Sequence, residues 1–222
     1  MSVHVYVGGD SGTGKSRVMK QRRILDHRRA GQRVAVLDPV GTSGWGADFQ
    51  TDDPERFIAV VRASRGIVAV VDEWPYIQDN WDWTVHRQLN WIWGVGRNHG
   101  ILGYAIGQTP MWVPKPVRRQ CGHGILFRHS DPGDCIELAR IYCAPELARI
   151  LQTLPDGVCA LMRGAGTPPV IHTAFPDLER RWRATQAAAG VKAPDSLAAP
   201  SPASAPPATR AGVRPPPRNR LP

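Results

Sequence analysis

The sequence has no long apolar segment and only four cysteines. None of its apolar runs reaches the roughly 18 residues of a membrane-spanning helix, and its N-terminus lacks the basic, apolar and small-residue series of a secretory signal. We therefore expect a protein that neither spans a membrane nor is secreted. The cysteines also lack C-x-x-C spacing, so buried, reduced thiols are expected rather than a zinc site at Cys121, Cys135, Cys143 and Cys159.

Acidic residues are scarce as well, because 19 Asp and Glu stand against 28 Lys and Arg, for a formal net charge of +9. The excess is clustered. One cluster lies between residues 17 and 33, and the other comprises Lys115, Arg118 and Arg119. Such clusters are typical of proteins that bind nucleic acid, but they also occur on solvated helix faces. Charge alone leaves both interpretations open.

The most informative segment is a glycine-rich loop that matches the pattern G-x-x-x-x-G-K-[ST]. A strand is predicted before it at 3–7, and a helix after it at 17–29, where Gly and Pro are absent. In this geometry backbone N–H groups and the helix N-terminus converge on phosphates, so a nucleotide is the expected ligand, with ATP and GTP both open. The lysine would bind the β- and γ-phosphates, and the serine hydroxyl would bind Mg²⁺. The loop comprises Gly9, Asp10, Ser11, Gly12, Thr13, Gly14, Lys15 and Ser16.

A second motif supplies acidic groups. The apolar run 66–71 does not alternate, as expected of a strand buried on both faces of a parallel sheet, and it ends in Asp72 and Glu73. Acidic residues at the carboxyl end of such a strand face the crevice in which α/β proteins bind ligands. We expect Asp72 to hold Mg²⁺ through water and Glu73 to polarise the attacking water, as in a hydrolase. The alternative is a pair of solvated carboxylates that begins a loop.

Strands and helices alternate along the chain. Further strands are predicted at 33–39, 101–107 and 124–129, and helices at 54–64, 83–97, 134–142 and 145–154. The segments 158–162 and 170–175 could pair as late strands. This succession predicts an α/β P-loop NTPase with a mainly parallel, RecA/ASCE-like sheet sandwiched by helices.

The C-terminal part of the chain differs in composition. We expect the ATPase domain to span residues 1–176, with a last helix at 177–190. Residues 191–222 include nine Pro and many Ala and Ser, with five basic residues against one acidic residue. Such a segment cannot bury enough apolar surface to fold alone and is predicted to be disordered. It could tether DNA or a capsid protein, or only improve solubility.

A third site surrounds the strand predicted at 101–107. Arg97 precedes this strand, and the sequence Gln-Thr-Pro at 108–110 follows it. A glutamine at a buried strand end can hydrogen-bond both a γ-phosphate and a water molecule, although it can also simply cap a turn. Together with the acidic pair and the sequence Asp-Pro-Val-Gly at 38–41, these residues resemble the motifs of the FtsK/HerA superfamily of DNA-pumping ATPases. The resemblance covers roughly residues 3–130.

The resemblance implies roles for individual residues. Its members form rings, usually hexamers, in which an arginine of the neighbouring subunit completes each site. Arg97 is the first candidate for that arginine, with Arg118, Arg119 and Arg128 as alternates. By position, Lys15 and Ser16 match the residues that bind nucleotide and Mg²⁺. Asp72 matches the acid on the metal side, and Glu73 matches the catalytic base. Gln108 matches the polar sensor, which lies on the strand between the P-loop strand and the acidic-pair strand.

The sequence also departs from the family. Val40 stands where the Asp-Pro motif often has Lys, and no large accessory domain is visible. Such a bare motor most resembles the genome-packaging ATPases of tailless, membrane-containing icosahedral phages. This implies a double-stranded DNA translocase in the host cytoplasm or on the virion, with a capsid or vertex protein as partner. Two alternatives stay open: a zonula occludens toxin-like ATPase of filamentous-phage assembly or secretion, and a protein that uses nucleotide only as a switch.

DNA contacts are expected from basic residues rather than from tryptophans. The segment 111–119 carries Lys115, Arg118 and Arg119 and is predicted to be a loop that contacts phosphates. Tryptophans could stack on bases, but packing in the core or between subunits is the preferred interpretation. The tryptophans concerned are Trp74, Trp81, Trp83, Trp91, Trp93 and Trp112.

Overall fold

Eight strands form one sheet in the computed structural model, which describes residues 3–42, 44–173 and 184. In chain order they are β1 (Val5–Gly8), β2 (Val34–Leu37), β3 (Phe49–Thr51), β4 (Val68–Val71), β5 (Leu102–Gly107), β6 (His123–Leu126), β7 (Val158–Met162) and β8 (Val170–Thr173). Across the sheet their order is β3-β2-β4-β5-β1-β6-β7-β8.

Helices connect these strands. The first helical stretch begins as α1 (Lys15–Val18), passes through a π-helical turn (Met19–Arg23) and continues as α2 (Ile24–Arg29). Short 3₁₀ turns cover Gly96–His99 and Pro110–Trp112. The remaining helices are α3 (Pro54–Ala63), α4 (Trp74–Asn80), α5 (Trp83–Gly94), α6 (Lys115–Gln120), α7 (Pro132–Ile141) and α8 (Leu147–Thr153).

The position of β5 decides which residues meet at the site. It pairs in parallel with β1 on one side, Tyr104 opposite Val5, and with β4 on the other, Ala105 opposite Val71. The strands β2, β3 and β6 extend the parallel part, while β7 and β8 are added antiparallel. Because parallel strands end at one edge of a sheet, the residues that follow them gather there. The predicted α/β class with a mainly parallel sheet is confirmed.

Both faces of the sheet are covered, which explains why its strands are continuous apolar runs. On the face of α1 and α2, Val18, Ile24 and Trp45 pack with strand residues. The larger core lies on the opposite face and includes Phe57 of α3 and Leu138 of α7. The sheet is therefore sandwiched by helices, as predicted.

The tryptophans divide into buried and exposed groups. Trp74 and Trp93 are fully buried and meet edge to face, with 5.5 Å between ring centroids. Trp81 and Trp91 are partly buried against the same core, and for these four the interpretation as packing residues holds. Outside that core, Trp83 is 73% exposed and Trp112 is 51% exposed.

Several local expectations are wrong. The segment 111–119, predicted as a loop, includes a 3₁₀ turn and most of α6. Its prolines suggest a loop, but proline is well tolerated in the first turn of a helix, where Pro116 lies. The pattern also misses α4, which begins directly after Glu73, and β3, whose three residues lie at the sheet edge.

The cysteines are free, with three of them buried, but Cys143 is exposed because it lies in the turn after α7. Within the part of the chain that the structure describes, no helix combines the length and apolar character needed to cross a bilayer. Apart from Ala184, the helix predicted at 177–190 and the tail predicted at 191–222 lie outside the described residues. The domain boundary at 176 stays a prediction.

Candidate nucleotide-binding site

The glycine-rich loop joins β1 to α1 and takes a conformation that only glycine adopts easily. Gly9, Gly12 and Gly14 have φ angles of 151°, 77° and 103°. A Cβ atom on Gly9 would also lie 2.6 Å from Cβ of Phe127. The motif glycines are therefore required by backbone conformation and, at Gly9, by close packing against the residue after β6.

Hydrogen bonds to two distant segments fix this loop. After β6, the amide of Asp10 donates to the carbonyl oxygen of Arg128 at 2.8 Å, and the amide of Ser130 donates to Asp10 Oδ2 at 2.7 Å. Before β7, the amide of Gly157 donates to the carbonyl oxygen of Thr13 at 2.9 Å. The loop is thus held in place by segments about 120 and 140 residues away in sequence, as the P-loop geometry requires.

Lys15 lies inside the loop. Its ammonium group donates to the carbonyl oxygens of Gly9 at 2.6 Å and Asp10 at 2.8 Å, and the residue is only 5% exposed. Burial lowers the pKa of Lys15, while the negative charges of Glu73 and Asp72 oppose this shift. The lysine charge and the acidic pair therefore share one electrostatic environment. Ser16 follows directly and is half-buried at the start of the helix.

Asp72 follows β4 at the same edge of the sheet. It is 3% exposed, and among the described residues its Oδ1 has no hydrogen-bonding partner. Burial, followed by the charges of Glu73 and Asp38, raises the pKa of Asp72 to about 7. A buried carboxylate with an unpartnered oxygen is suited to a cation or to water bound by a cation.

Glu73 has a left-handed backbone conformation, with φ of 50°. This conformation is uncommon for a residue with a side chain and often marks a functional site. Gln108, which follows β5, donates from Nε2 to Glu73 Oε2 at 3.4 Å. The predicted sensor strand does lie between the P-loop strand and the acidic-pair strand. The structure therefore brings together Lys15, Ser16, Asp72, Glu73 and Gln108.

The predicted arginines lie elsewhere. Arg97 is exposed in the turn before β5, at the opposite edge of the sheet from Gln108. Arg128 follows β6 near the loop and pairs with Asp156 at 3.0 Å. Arg118 is half-buried, pairs with Glu137 at 3.1 Å and donates to the carbonyl oxygen of Val113 at 2.9 Å. Within one subunit, Arg97 is thus separated from the acidic pair by the length of β5.

Exposed basic residues lie around α6. Lys115 and Arg119 are exposed and line a cavity of about 500 Å³ together with Arg140, at the side of the sheet where β6 begins. A second cavity, of about 340 Å³, shares Lys115 and Arg119. Because Glu137 pairs with both Arg118 and Arg140, at 3.1 Å in each case, Lys115 and Arg119 carry most of the unneutralised positive charge of this surface.

The donor set suits Mg²⁺ bound together with phosphates. Among the described residues, no group of three or more His, Cys, Asp or Glu side chains is arranged to hold a metal alone. Mg²⁺ in nucleotide sites is typically held by one or two protein oxygens, phosphate oxygens and water. The hydroxyl of Ser16 and the unpartnered oxygen of Asp72 fit that requirement.

Asp38 has no predicted role of its own beyond its place in the sequence Asp-Pro-Val-Gly at 38–41. In the structure Asp38 follows β2, directly beside Asp72, and it is 1% exposed. Its only signal in the sequence is a carboxylate after an apolar strand, which is also the signal that identified Asp72.

No protein-family model matches the chain, and no curated protein matches it in sequence. Similar solved structures include the genome-packaging NTPase B204 of Sulfolobus turreted icosahedral virus 2 in complex with AMPPCP. It is 17% identical, the match covers 78% of this chain and 98% of B204, and the TM-score is 0.64.

Two further similar structures come from other systems. The conjugation coupling protein TcpA of pCW3 with ATPγS is 15% identical, with 78% of this chain and 60% of TcpA covered and a TM-score of 0.62. ATPases 2 and 3 of EssC from Geobacillus thermodenitrificans are 15% identical, with 87% of this chain and 46% of that chain covered and a TM-score of 0.56.

The fold and the loop geometry define the chain as having the P-loop NTPase fold. Its structural neighbours include the genome-packaging NTPase B204 in complexes with AMPPCP and with AMP.

Proposed function

We propose that this protein is a Mg²⁺-dependent ATP hydrolase that moves double-stranded DNA, in the manner of a genome-packaging ATPase. The observation that carries the proposal is the meeting of Lys15, the Asp72–Glu73 pair and Gln108 at one edge of the sheet. The similarity to B204, a genome-packaging NTPase whose structure contains AMPPCP, supports it.

The chemistry follows from the positions of these groups. Lys15 binds the β- and γ-phosphates, and Ser16 and Asp72 hold Mg²⁺, which supplies charge neutralisation at the phosphates. Glu73 accepts a hydrogen bond from the attacking water and orients it towards the γ-phosphate. Gln108, in contact with Glu73, positions that carboxylate and responds to the γ-phosphate. Hydrolysis thereby changes the hydrogen bonds at the end of β5.

A neighbouring subunit completes the site in this proposal. Arg97 is exposed and lies at the edge of the sheet opposite the acidic pair of its own subunit. From this position it would act on the nucleotide of the next subunit in a ring, which we expect to be a hexamer. An arginine supplied in trans stabilises the charge of the transition state. Arg128 is the alternate nearest to the chain's own loop, and its contact with Asp156 would have to be exchanged.

The surface around α6 is the proposed DNA contact. Lys115 and Arg119 present positive charge over two adjoining cavities, and such charges bind phosphates without regard to sequence. A packaging motor of this kind would work in the host cytoplasm or on the virion, with a capsid or vertex protein as partner. A secretion or phage-assembly ATPase is the second candidate, because the cytoplasmic domain of the type VII secretion ATPase EccC of Thermomonospora curvata is also a structural neighbour, with 16% identity and a TM-score of 0.51.

ATPase rates with and without double-stranded DNA test the proposal. Wild type should hydrolyse ATP faster when DNA is added. Glu73→Gln should lose hydrolysis by at least about 100-fold and still bind ATP, because the substituted amide keeps the size of the side chain. Glu55→Gln, an exposed change in the first turn of α3, is the matched control and should behave as wild type.

Each outcome has a distinct meaning. Hydrolysis that is indifferent to DNA would move the function towards protein secretion. Binding of ATP with no hydrolysis in wild type would favour the nucleotide switch. Normal hydrolysis by Glu73→Gln would show that Glu73 is not the catalytic base.

A further inference from the structure

Asp38 and Asp72 are neighbours across two strands. Leu37 and Val71 are register partners in the parallel pair β2–β4, so the next residues along both strands lie side by side. The amide of Asp72 donates to the carbonyl oxygen of Leu37 at 3.0 Å, and the amide of Asp38 donates to the carbonyl oxygen of Thr51 at 2.9 Å. The backbone therefore fixes both carboxylates at the edge of the sheet where the P-loop lies.

Three donors hold one oxygen of Asp38. Its Oδ2 accepts from Trp45 Nε1 at 2.8 Å, from Thr42 Oγ1 at 2.9 Å and from Gln50 Nε2 at 3.2 Å. Trp45 is fully buried. With Oδ2 engaged by three groups, the carboxylate plane has little freedom to rotate, and the position of the other oxygen is set as well.

The second oxygen of Asp38 is unusual. Oδ1 is buried and has no hydrogen-bonding partner anywhere in the described residues, and the same holds for Oδ1 of Asp72. Two adjacent carboxylates, 1% and 3% exposed, are costly unless a cation or strong donors face them. Lys20 supplies part of that charge, since it donates to Thr42 Oγ1 at 3.2 Å and lies 4.6 Å from the centre of a Trp45 ring.

We infer that Asp38 is a second carboxylate of the magnesium site, whose Oδ1 accepts hydrogen bonds from the water shell of Mg²⁺ beside Asp72. This rests on the proposed binding of Mg²⁺–ATP. Water rather than direct coordination suits Asp38, because Mg²⁺ gives up its water reluctantly and keeps several molecules in such sites. Trp45, Thr42 and Gln50 are then positioning residues that aim the carboxylate.

Asp38→Asn tests the role while preserving side-chain size. The amide oxygen can replace Oδ2 towards the three donors, which turns the amide N–H group towards the water shell, where an acceptor is needed. Isothermal titration with AMPPCP in excess Mg²⁺ should show affinity weakened about tenfold, whereas affinity in EDTA should equal that of wild type. Electron paramagnetic resonance of Mn²⁺ with AMPPCP should show the same loss of metal binding without any turnover.

Two controls separate the metal role from folding. Asp26→Asn removes an exposed acid that pairs with Arg29 at 3.6 Å and should leave both affinities unchanged. Ile67→Ala removes most of a buried side chain just before β4, at the opposite end of that strand from Asp72, so it should lower the melting temperature and retain Mg²⁺-dependent affinity. If Asp38→Asn does not fold, Asp38→Glu, which keeps the charge and displaces the oxygens, should give the same selective loss.

The outcomes distinguish this inference from the proposed function. Equal Mg²⁺ dependence in wild type and the Asp38 variant overturns the role of Asp38 and leaves ATP hydrolysis standing. An equal loss of AMPPCP affinity in EDTA and in Mg²⁺ also overturns it, since that pattern indicates a structural defect of the loop. If wild type binds no AMPPCP under either condition, both the inference and the proposed function fail.

Discussion

Gln108 donates a hydrogen bond to Glu73 across 3.4 Å, although the two residues are 35 positions apart in the sequence. The contact exists because β5 lies next to β4 and both strands end at the same edge of the sheet. Glu73 reaches it from a left-handed backbone conformation. The water-polarising carboxylate is thus held by the residue proposed to respond to the γ-phosphate.

Changes at Gln108 should therefore alter turnover more than binding. Gln108→Asn shortens the side chain and should lower kcat by about 100-fold with little change in KM. The reason is that the Glu73 carboxylate would lose its partner and shift, and a small displacement of a reacting group can slow a reaction by this factor. Gln108→Glu should be worse, since two carboxylates would then repel each other. Steady-state kinetics of both variants provide the measurement. A rise in KM at unchanged kcat would contradict the positioning role.

Gly9→Ala should destabilise the protein as well as impair nucleotide binding. The added methyl group would lie 2.6 Å from Cβ of Phe127 at a φ of 151°, so we expect the free energy of unfolding to fall by about 3 kcal/mol. Gly41→Ala is the control, with a φ of 72° and open space around the added atom, and should cost only about 1 kcal/mol. Urea unfolding compares them, and equal losses would rule out the predicted clash.

Lys115→Glu and Arg119→Glu should weaken DNA binding. Each removes a phosphate contact, so affinity should fall for all sequences and the salt dependence should decrease by about one unit of slope. Fluorescence anisotropy at several salt concentrations measures both quantities. Arg29→Glu makes the same change of charge on α2, where the side chain is 76% exposed. A larger effect of Arg29→Glu would assign DNA binding to the first helix instead.

Arg97 should act in the neighbouring subunit. Arg97→Ala and Lys15→Ala should each abolish most hydrolysis when tested alone. Mixed subunits should regain part of it, because some interfaces then combine an intact loop with an intact arginine. ATPase assays on mixtures provide the measurement, with Lys15→Ala mixed with Glu73→Gln as the matched control. Lys15 and Glu73 both belong to the part of the site that the nucleotide-binding subunit supplies. Every subunit in that control therefore has a defective site of its own, and mixed interfaces stay inactive. Failure of complementation would overturn the role of Arg97 in trans, and normal hydrolysis by Arg97→Ala alone would point to Arg128 instead.

His4 should make the fold sensitive to acid. Burial, with a contribution from the Arg97 charge, lowers the pKa of His4 to about 4, and its Nδ1 accepts from the amide of Gly103 at 2.9 Å. Between about pH 6.5 and pH 4, His4 is protonated in the unfolded chain and remains neutral in the folded chain. Stability therefore falls as pH drops through that window, by up to about 1.4 kcal/mol per pH unit.

His4→Asn removes this titration and can keep an acceptor for Gly103. Unfolding free energies measured between pH 4 and pH 7 should depend less steeply on pH in the variant than in wild type. His27 also has a lowered pKa because it is buried, so some slope should persist. Identical slopes in the two proteins would show that His4 protonates freely in the folded state.

The parts of the fold that sequence predicts well are those encoded locally. The glycine loop between an apolar strand and a helix contains its own conformational requirements, and Asp53 with Pro54 marks the start of α3, where its Oδ1 accepts from the amide of Glu55 at 2.8 Å. The continuous apolar run before Asp72 likewise indicates a buried strand. These segments need no knowledge of distant residues.

What sequence could not predict depends on distant contacts or on ambiguous prolines. Two of the three donors to Asp38 lie between β2 and β3 and the third lies within β3, and no local pattern indicates that they converge. The ion pair between Arg118 and Glu137 of α7 likewise depends on tertiary packing. Because of this pair, Arg118, which the sequence predicts to contact DNA, is not an exposed charge. In α6 the prolines favour a loop locally, while packing of Val117 in the core favours the helix.

One backbone hydrogen bond connects chemistry to the outer sheet. The Gly157 amide is bonded to the carbonyl oxygen of Thr13 in the loop, and β7 begins at the next residue and pairs with β8. β7 is also paired with β6 along its length, so it is a fixed part of the sheet. The bond from Gly157 therefore anchors the nucleotide loop to the antiparallel end of the sheet, and the conformation of the loop depends on strands that lie outside the parallel part.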